Sequence, residues 1–355
     1  MLEENEKKSG FSCFGFGCGF LFAGILVLVV IGLSVFGAIG YLSRLSLPER
    51  LAYDDPDSFE EEYVCGQRGS DSADFLSKIA VIDIKGVIVS DMMSSFSEGV
   101  DARSVCARIR RASEDDQVKA LIVNLDTPGG EVAASDEIYE ELRLFRETTK
   151  KPAVAMMNSM AASGGYYVAS GCKPIIANKL TLTGSIGVII STYNYRGLFE
   201  KIGVKSEVYT SGKMKDMLDG SRERTPEEIA LVQTLVNNTY GEFVNIVSRS
   251  RNIPAEKIRG SVIGDGRVFD GKQALSLGLV DSLGYFRDAV DAAARAAHLE
   301  KGSFTVIRYQ EPFSFSKFLS MLFVKTHPVN ISVQGQPFKA FTPKRGMLYF
   351  LPADL

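Results

Sequence analysis

The residue whose setting most favours chemistry is Ser163. It follows the apolar run 152–157, which predicts a buried strand, and it precedes Gly164 and Gly165, which open a short predicted helix. A serine at such a turn lies where free backbone N–H groups and the positive end of a helix dipole converge. Those groups stabilise a nucleophile and the oxyanion that it generates. An ordinary turn of small residues is the alternative interpretation.

A serine nucleophile needs a base that takes its proton. The chain has two histidines, and neither lies in a motif: His298 ends an alanine-rich helical pattern and His327 precedes a proline. A Ser-His-Asp triad is therefore not predicted. Lysine is the remaining candidate, and it must be neutral to act, which burial in apolar surroundings favours.

The lysine whose neighbours best supply such burial is Lys215, which is flanked by Met214, Met217 and Leu218. Lys213 lies beside a glycine and is interpreted as a surface charge. Because lysine side chains are mostly exposed, the alternative is that both are ordinary loop lysines.

A second turn, residues 127–130, follows an apolar run and contains the pair Gly129-Gly130. Paired glycines let the backbone approach a ligand and direct its N–H groups at it. Together with the Gly164 amide, this turn could form an oxyanion hole with two donors. A tight connection between strand and helix is the alternative.

These positions are embedded in alternating strand and helix patterns. Apolar β-branched runs predict strands at 79–89 (one strand, or two broken at Gly86), 119–125, 152–157, 173–177, 184–190, 205–210 and 303–308. Amphipathic spacing predicts helices at 101–112, 131–146, 195–202, 225–250, 255–260, 271–277 and 286–298. Alternation of this kind predicts an α/β fold with right-handed βαβ units and a mainly parallel sheet.

Composition limits the classes of partner. The net charge of -3 over 355 residues argues against nucleic-acid binding, which normally requires a basic surface. The five cysteines are too sparse for a disulfide framework. Because no cysteines and histidines have metal-ligand spacing, no metal or other cofactor is expected.

The N-terminal region predicts a membrane anchor. Residues 20–42 are almost wholly apolar, and a helix of that length reaches roughly 35 Å, enough to cross a bilayer. The apolar part of a cleaved signal peptide is shorter, about 7–15 residues. The pair Ala38 and Gly40 keeps cleavage open as the alternative. Similar numbers of basic residues on both sides leave the orientation open.

The predicted organisation has five parts. They are a lead at 1–19, the transmembrane helix at 20–42, a linker or stalk at 43–77, a folded domain at 78–300 and a C-terminal extension at 301–355.

Four motifs in a fixed order give the chain a family resemblance. They are Thr127-Pro-Gly-Gly130, Ala161-Ala-Ser-Gly-Gly-Tyr-Tyr167, Leu182-Thr-Gly-Ser-Ile-Gly-Val188 and Ser211-Gly-x-x-Lys-Asp216. This order resembles the signal peptide peptidase A family of membrane-bound serine-lysine proteases. The resemblance covers about residues 78–285, with residues 265–280 matching the closing segment. It implies a Clp-protease/crotonase-like fold of repeated ββα units after one N-terminal transmembrane helix.

The resemblance also implies the role of each matched residue. Ser163 would be the nucleophile, Lys215 the general base, and Gly130 and Gly164 the oxyanion donors, while Ser185 would orient the lysine amine.

The chain departs from the family pattern at two positions. Thr127 stands where serine is common, which we expect to be tolerated because only the backbone turn is needed. Met214 stands where the family often has a polar residue. Asp216, next to the lysine, receives no chemical role.

The implied assembly is a homo-octamer in which the serine and the lysine come from adjacent protomers, so the two can be too far apart in one chain for a hydrogen bond. The implied location is the outer face of the cytoplasmic membrane, with membrane lipid as a further partner. Separately, the apolar tail 347–352 could occupy a substrate groove by strand addition; an ordinary packed terminus is the alternative.

The function predicted on these grounds is a serine endopeptidase that degrades apolar peptides such as released signal peptides. Acyl-CoA hydration or isomerisation on the same fold would need carboxylates over the oxyanion hole, and no acidic residue lies between Ala161 and Asn194. The non-enzymatic alternative is a catalytically idle membrane scaffold or binding protein.

Overall fold

The structure is a computed structural model that describes residues 59–67, 77–90, 99–310 and 349–350. Its strands are β1 Glu60–Gly66, β2 Ser77–Lys85, β3 Val87–Val89, β4 Gly99–Asp101, β5 Val118–Thr127, β6 Gly130–Glu131, β7 Ala153–Ala162, β8 Ile175–Ala177, β9 Leu182–Gly184, β10 Val268–Phe269, β11 Ser282–Leu283, β12 Phe304–Gln310 and β13 Tyr349–Phe350. Its helices are α1 Ala102–Glu114, α2 Val132–Thr149, α3 Gly164–Ala169, α4 Arg196–Ile202, α5 Pro226–Arg251, α6 Ala255–Arg259, α7 Gly271–Ser276 and α8 Phe286–Ala296, with a short 3-10 helix at Val262–Gly264.

A nine-stranded sheet forms the centre of the fold, with the order β1-β12-β2-β5-β7-β8-β11 and with β9 and β10 extending from β7. The six strands β12, β2, β5, β7, β8 and β11 run parallel to one another. The strand β1 pairs antiparallel with β12, and β10 pairs antiparallel with β9. The predicted α/β fold with a mainly parallel sheet is confirmed.

The central strands are apolar throughout because both faces of the sheet are covered. Along β5, Leu121, Val123 and Leu125 belong to a large core cluster beneath α1, α2 and α3. The intervening Ala120 and Ile122 belong to a second cluster, against the alanine face of α8. β2 and β7 alternate in the same way. This two-sided burial explains why these strands were predictable from uninterrupted apolar runs.

A second, smaller sheet has the order β13-β6-β3-β4. The chain leaves the main sheet at Gly86, whose φ of +76° favours glycine, and enters this sheet as β3. It does so again between β5 and β6, where Gly129 has a φ of +106°. In both cases a strand of the main sheet is followed by the second sheet, in two short strands after β2 and in one after β5, and then by a helix. The predicted break at Gly86 is confirmed.

The helix boundaries follow from local capping. The Asp101 side chain accepts a hydrogen bond from the Arg103 amide at the start of α1. At the start of α5, Thr225 and Glu228 form the predicted capping box, with Pro226 at the first helical position.

Two strand predictions are wrong. Residues 205–210 form no strand, because nothing in the described part of the chain pairs with them and an isolated strand is unstable. The predicted strand 184–190 is reduced to β9, which ends at Gly184, because the chain turns there with φ of +81°.

Near the termini, residues 60–66 lie in the segment predicted as a linker, but they form β1 and pair with β12. β12 itself confirms the strand predicted at 303–308. The predicted anchor, 20–42, lies outside the described residues, and among the helices of the described ranges none is long and apolar enough to cross a membrane.

Candidate active site

Ser163 occupies a constrained turn between β7 and α3. Its φ of +52° and ψ of −113° lie outside the regions that serine normally adopts, a conformation that costs about 1–3 kcal/mol and that concentrates at functional sites. Two backbone hydrogen bonds hold it: its N–H donates to the Gly184 carbonyl oxygen at 2.8 Å, and its own carbonyl oxygen accepts from Tyr167 at 2.9 Å. The fold therefore maintains this backbone geometry from both sides.

The Ser163 side chain is fully buried. Its hydroxyl has no hydrogen-bond partner among the residues that the structure describes. Buried hydroxyl groups are normally paired, so an orphaned one points to a group that is supplied from elsewhere.

The helix after Ser163 is firmly anchored. The Tyr166 hydroxyl donates to the Leu279 carbonyl oxygen at 2.8 Å, and burial raises the pKa of Tyr166. The Tyr167 hydroxyl donates to the Asp136 carboxylate at 2.6 Å, and its ring packs on Phe243 with centroids 5.1 Å apart. Rigid packing of this kind preserves the turn that carries the serine.

The two candidate oxyanion donors, Gly130 and Gly164, are brought together. A Cβ atom built on Gly164 would lie 3.1 Å from the Gly130 amide nitrogen. A Cβ atom on Gly130 would lie 1.9 Å from the Ile88 carbonyl oxygen, so only glycine fits there. The Gly130 amide therefore lies close to Gly164, at the turn that carries Ser163.

The Thr127 side chain contributes more than the sequence predicted. Its hydroxyl oxygen accepts a hydrogen bond from the Gly129 amide at 3.0 Å and so fixes the turn that leads to Gly130. We expected only the backbone to matter at this position. A serine hydroxyl at this position could accept the same hydrogen bond.

Ser185 lies close to this group. It directly follows Gly184, the backbone partner of Ser163, and its side chain is nearly buried. Its φ is +50°, and its amide donates to the Arg267 carbonyl oxygen at 2.8 Å. A third constrained turn therefore lies beside the serine.

Lys215 is not joined to the other candidate residues. It lies in a turn-rich segment, residues 211–221, called here the lysine loop, and it is exposed. Within the described ranges, no hydrogen bond connects it to Ser163. We predicted that Met214, Met217 and Leu218 bury the Lys215 side chain. In a single chain they do not, because these three side chains are half-buried themselves and leave Lys215 exposed. Lys213 pairs with Glu227 at 2.9 Å and is a surface charge, as predicted.

The C-terminal strand reaches this site. β13 pairs antiparallel with β6, with Phe350 opposite Gly130 and Tyr349 opposite Glu131. An extended chain therefore lies along the strand that carries a candidate oxyanion donor. Two residues of the apolar tail thus pair with β6 as a strand, while occupation of a substrate groove by this tail stays a prediction.

An α/β fold in which a buried serine lies in a strained turn beside two glycines is typical of hydrolases that use a nucleophilic serine. Comparison with known proteins makes this specific, since residues 146–300 match the model of peptidase family S49. A candidate protease of Synechocystis is 40% identical over 66% of this chain and 80% of its own length. A candidate signal peptide peptidase SppA of Enterococcus faecium is 34% identical over 83% of both chains. A chloroplastic serine protease SPPA of Arabidopsis thaliana is 37% identical over 62% of this chain and 33% of its own.

The chain belongs to peptidase family S49. It is therefore a serine peptidase, and the acyl-CoA alternative is excluded.

Proposed function

We propose that Ser163 and Lys215 form the catalytic dyad of this peptidase and that the amides of Gly130 and Gly164 form its oxyanion hole. The observation that carries the proposal is the buried, unpaired Ser163 hydroxyl, held in a strained turn beside two glycine backbones. The Clp-protease/crotonase-like assignment of the fold is supported by the recurring sequence of main-sheet strand, second-sheet strand and helix.

The reaction follows from these positions. The Ser163 oxygen attacks the peptide carbonyl carbon while the neutral Lys215 amine takes the hydroxyl proton, and the carbonyl oxygen becomes an oxyanion that accepts from the two amides. When the tetrahedral intermediate collapses, the C–N bond breaks and the lysine gives its proton to the leaving amine. Water then attacks the acyl-enzyme, with the lysine again as base, and restores the serine.

The lysine that serves Ser163 is proposed to come from an adjacent protomer. Two observations support this arrangement: the serine hydroxyl is unpaired, and Lys215 is exposed on its own chain. Transfer of the amine to a buried position beside Ser163, with Ser185 orienting it, would favour the neutral form that a base requires.

An exposed apolar surface near the lysine loop supports such an assembly, for which we propose a homo-octamer. Tyr193, Leu198, Ile202 and Tyr209 are 71%, 57%, 60% and 92% exposed. Monomeric proteins seldom expose large apolar side chains in such numbers along one short stretch. A neighbouring protomer would cover them.

The proposed substrates are apolar peptides, including released signal peptides. The pairing of β13 with β6 supports recognition of an extended backbone by strand addition. The name of the Enterococcus relative, a signal peptide peptidase, agrees with this substrate class. Residues 20–42 are proposed to anchor the enzyme in the cytoplasmic membrane as a single span, with the catalytic domain, 78–300, on the outer face and beside membrane lipid.

The first test compares hydrolysis of an apolar fluorogenic peptide by the wild type, Ser163→Ala and Lys215→Ala. We expect both variants to lose activity while they remain folded and assembled. Full activity in either folded variant would overturn the dyad. Retention of activity by Lys215→Ala alone would direct attention to Lys213.

A mixing experiment tests the shared site. If the lysine crosses between protomers, coexpressed Ser163→Ala and Lys215→Ala chains form some sites with an intact serine and an intact neighbouring lysine. Random assembly in a ring predicts about a quarter of wild-type activity, because about half of the protomers carry Ser163, about half carry Lys215, and an active site needs one of each from neighbouring protomers. No activity in confirmed mixed assemblies would place both residues of the dyad in one chain.

A further inference from the structure

The lysine loop lacks regular secondary structure that could position Lys215. It contains a succession of turns, in which the Lys215 amide donates to the Gly212 carbonyl oxygen at 3.0 Å and the Asp219 amide donates to the Asp216 carbonyl oxygen at 2.8 Å. A general base must lie within hydrogen-bond reach of the proton that it takes. The amine of a lysine in such a loop therefore needs an anchor outside the loop itself.

Asp216, directly after the lysine, is held by such an anchor. Arg222 donates to both of its carboxylate oxygens, from Nε at 2.7 Å and from Nη2 at 2.8 Å. This two-point contact of a planar guanidinium with a carboxylate fixes orientation as well as distance. Other contacts also hold this loop, such as those from Tyr195 to Asp219 and from Arg224 to the Met217 carbonyl oxygen, but Asp216 is the anchored residue directly next to Lys215.

The other side of Arg222 binds the start of α5. Its Nη1 and Nη2 donate to Glu228 at 3.0 and 2.5 Å. The Glu228 side chain is only 2% exposed and also accepts from the Thr225 amide at 2.8 Å, as part of the capping box. Arg222 therefore connects the lysine loop to the N-terminal end of a 26-residue helix.

The contacts of Arg222 with Asp216 and Glu228 are between opposite charges. Hydrogen bonds from Arg222, followed by those from Thr225, lower the pKa of Glu228 to about 2, and hydrogen bonds from Arg222 also lower the pKa of Asp216. Both carboxylates are therefore ionised at neutral pH and share one guanidinium. Without Arg222, two negative groups would face each other and one of them would be buried without a cation, which is strongly unfavourable.

We propose that Arg222 is a positioning residue for the general base: through Asp216 it fixes the lysine loop to the capped N-terminus of α5 and so sets the place of Lys215. The proposal rests on the proposed function, in which Lys215 is the base. It adds a residue that acts on catalysis without touching substrate, and it gives Asp216 a role.

The decisive variant is Asp216→Asn, which weakens the contact to the lysine loop and leaves Arg222 paired with Glu228. Because an ångström of misplacement can cost about 10²-fold in rate, we expect kcat to fall by roughly tenfold or more, with KM little changed. The melting temperature should stay near the wild-type value, since the helix cap is intact. A purely structural role would leave kcat unchanged in this folded variant.

Three further variants complete the design. Arg222→Met should lower kcat at least as much and also lower the melting temperature. Arg222→Lys should be intermediate, because an ammonium cannot bind two carboxylates in the bidentate manner of a guanidinium. Glu227→Gln is the matched control: it removes an exposed ion pair with Lys213 at the same helix end, with side chains 62% and 75% exposed, and should behave like the wild type.

Lys215→Ala, measured in parallel, separates the two proposals. If Lys215→Ala is inactive while folded Asp216→Asn keeps wild-type kcat, the positioning role is overturned and the dyad stands. If Lys215→Ala keeps full activity, the dyad fails and the positioning role fails with it. Should Arg222→Met not fold, the kcat of Asp216→Asn still decides.

Discussion

Gly164→Ala is the substitution that most directly tests the geometry of the oxyanion hole. Gly164 does not have a positive φ, so its backbone accepts alanine without strain. The added methyl group would, however, lie 2.6 Å from the Ser135 hydroxyl oxygen, 3.1 Å from the Gly130 amide nitrogen and 3.2 Å from the Gly129 Cα atom. The methyl group therefore lies against the Gly130 amide, one of the two proposed oxyanion donors.

These contacts determine how much Gly164→Ala destabilises the fold. The Ser135 hydroxyl donates to the Glu131 carbonyl oxygen at 2.9 Å, and rotating it away from the methyl group forfeits a hydrogen bond worth about 0.5–1.5 kcal/mol. If it stays, overpacking costs about 1–3 kcal/mol. We expect a destabilisation in that range, which corresponds to a fall in Tm of several degrees.

A double variant separates stability from catalysis. In Ser135→Ala/Gly164→Ala the shortest contact is gone, so the two changes should cost less together than the sum of the single variants. Activity should not recover, because the methyl group still lies beside the Gly130 amide, and loss of one oxyanion donor lowers kcat by about 10²–10³-fold.

The assay combines denaturant unfolding with hydrolysis of an apolar fluorogenic peptide by all four proteins. Gly164→Ala with activity within a few-fold of the wild type would refute the assigned hole. Recovery of activity in the double variant would show instead that packing against Ser135, rather than the Gly130 amide, is what the methyl group disturbs.

Three other predictions follow from single contacts. Ending the chain at Gly346 should lower KM for free peptides with kcat unchanged, because it removes β13 from β6; an unchanged KM would mean that β13 does not compete with substrate. Thr127→Val should destabilise the domain by about 1–3 kcal/mol and reduce kcat, because the Gly129 amide loses its hydrogen-bond acceptor. Thr127→Ser should match the wild type in both stability and kcat. Equal behaviour of the two variants would show that the Thr127 hydroxyl does not hold this turn. The pKa of Glu228 is about 2, below its ordinary value of 4.5, so ionised Glu228 stabilises the folded state above pH 4.5 and loses this contribution as the pH falls toward 2. The difference in Tm between the wild type and Arg222→Met should therefore shrink between pH 4.5 and pH 2. A difference in Tm that stays constant over this pH range would contradict the role of ionised Glu228.

Local patterns were sufficient to predict much of the fold. β2, β5 and β7 are buried on both faces, so each is an uninterrupted apolar run in the sequence. The start of α5 was predictable because the capping box of Thr225 and Glu228 joins residues three positions apart. The nearness of Gly130 and Gly164 also follows from a simple rule, since each lies just beyond the end of one of two adjacent parallel strands, β5 and β7.

Other features depend on contacts that sequence spacing does not contain. The segment 205–210 has strand-forming residues, but a strand also needs a partner, and none exists for it in the described ranges. Methionines beside Lys215 suggested burial, but neighbours in a loop cover a side chain from few directions. The pairing of Arg222 with two carboxylates depends on how the lysine loop folds against α5, so neither Asp216 nor Glu228 could be assigned to it from the sequence.

The position of β13 also has a consequence for how substrates are selected. Because β13 belongs to the same chain as β6, their pairing is an intramolecular event and does not weaken when the protein is diluted. If substrate peptides pair with β6, as proposed, a free peptide competes with this internal ligand, and dilute peptides in bulk solution are disfavoured. Peptides that are themselves concentrated near the enzyme, such as those confined to a membrane surface, would compete on equal terms. The tail would then select substrates by their local concentration at the enzyme rather than by their amino-acid sequence.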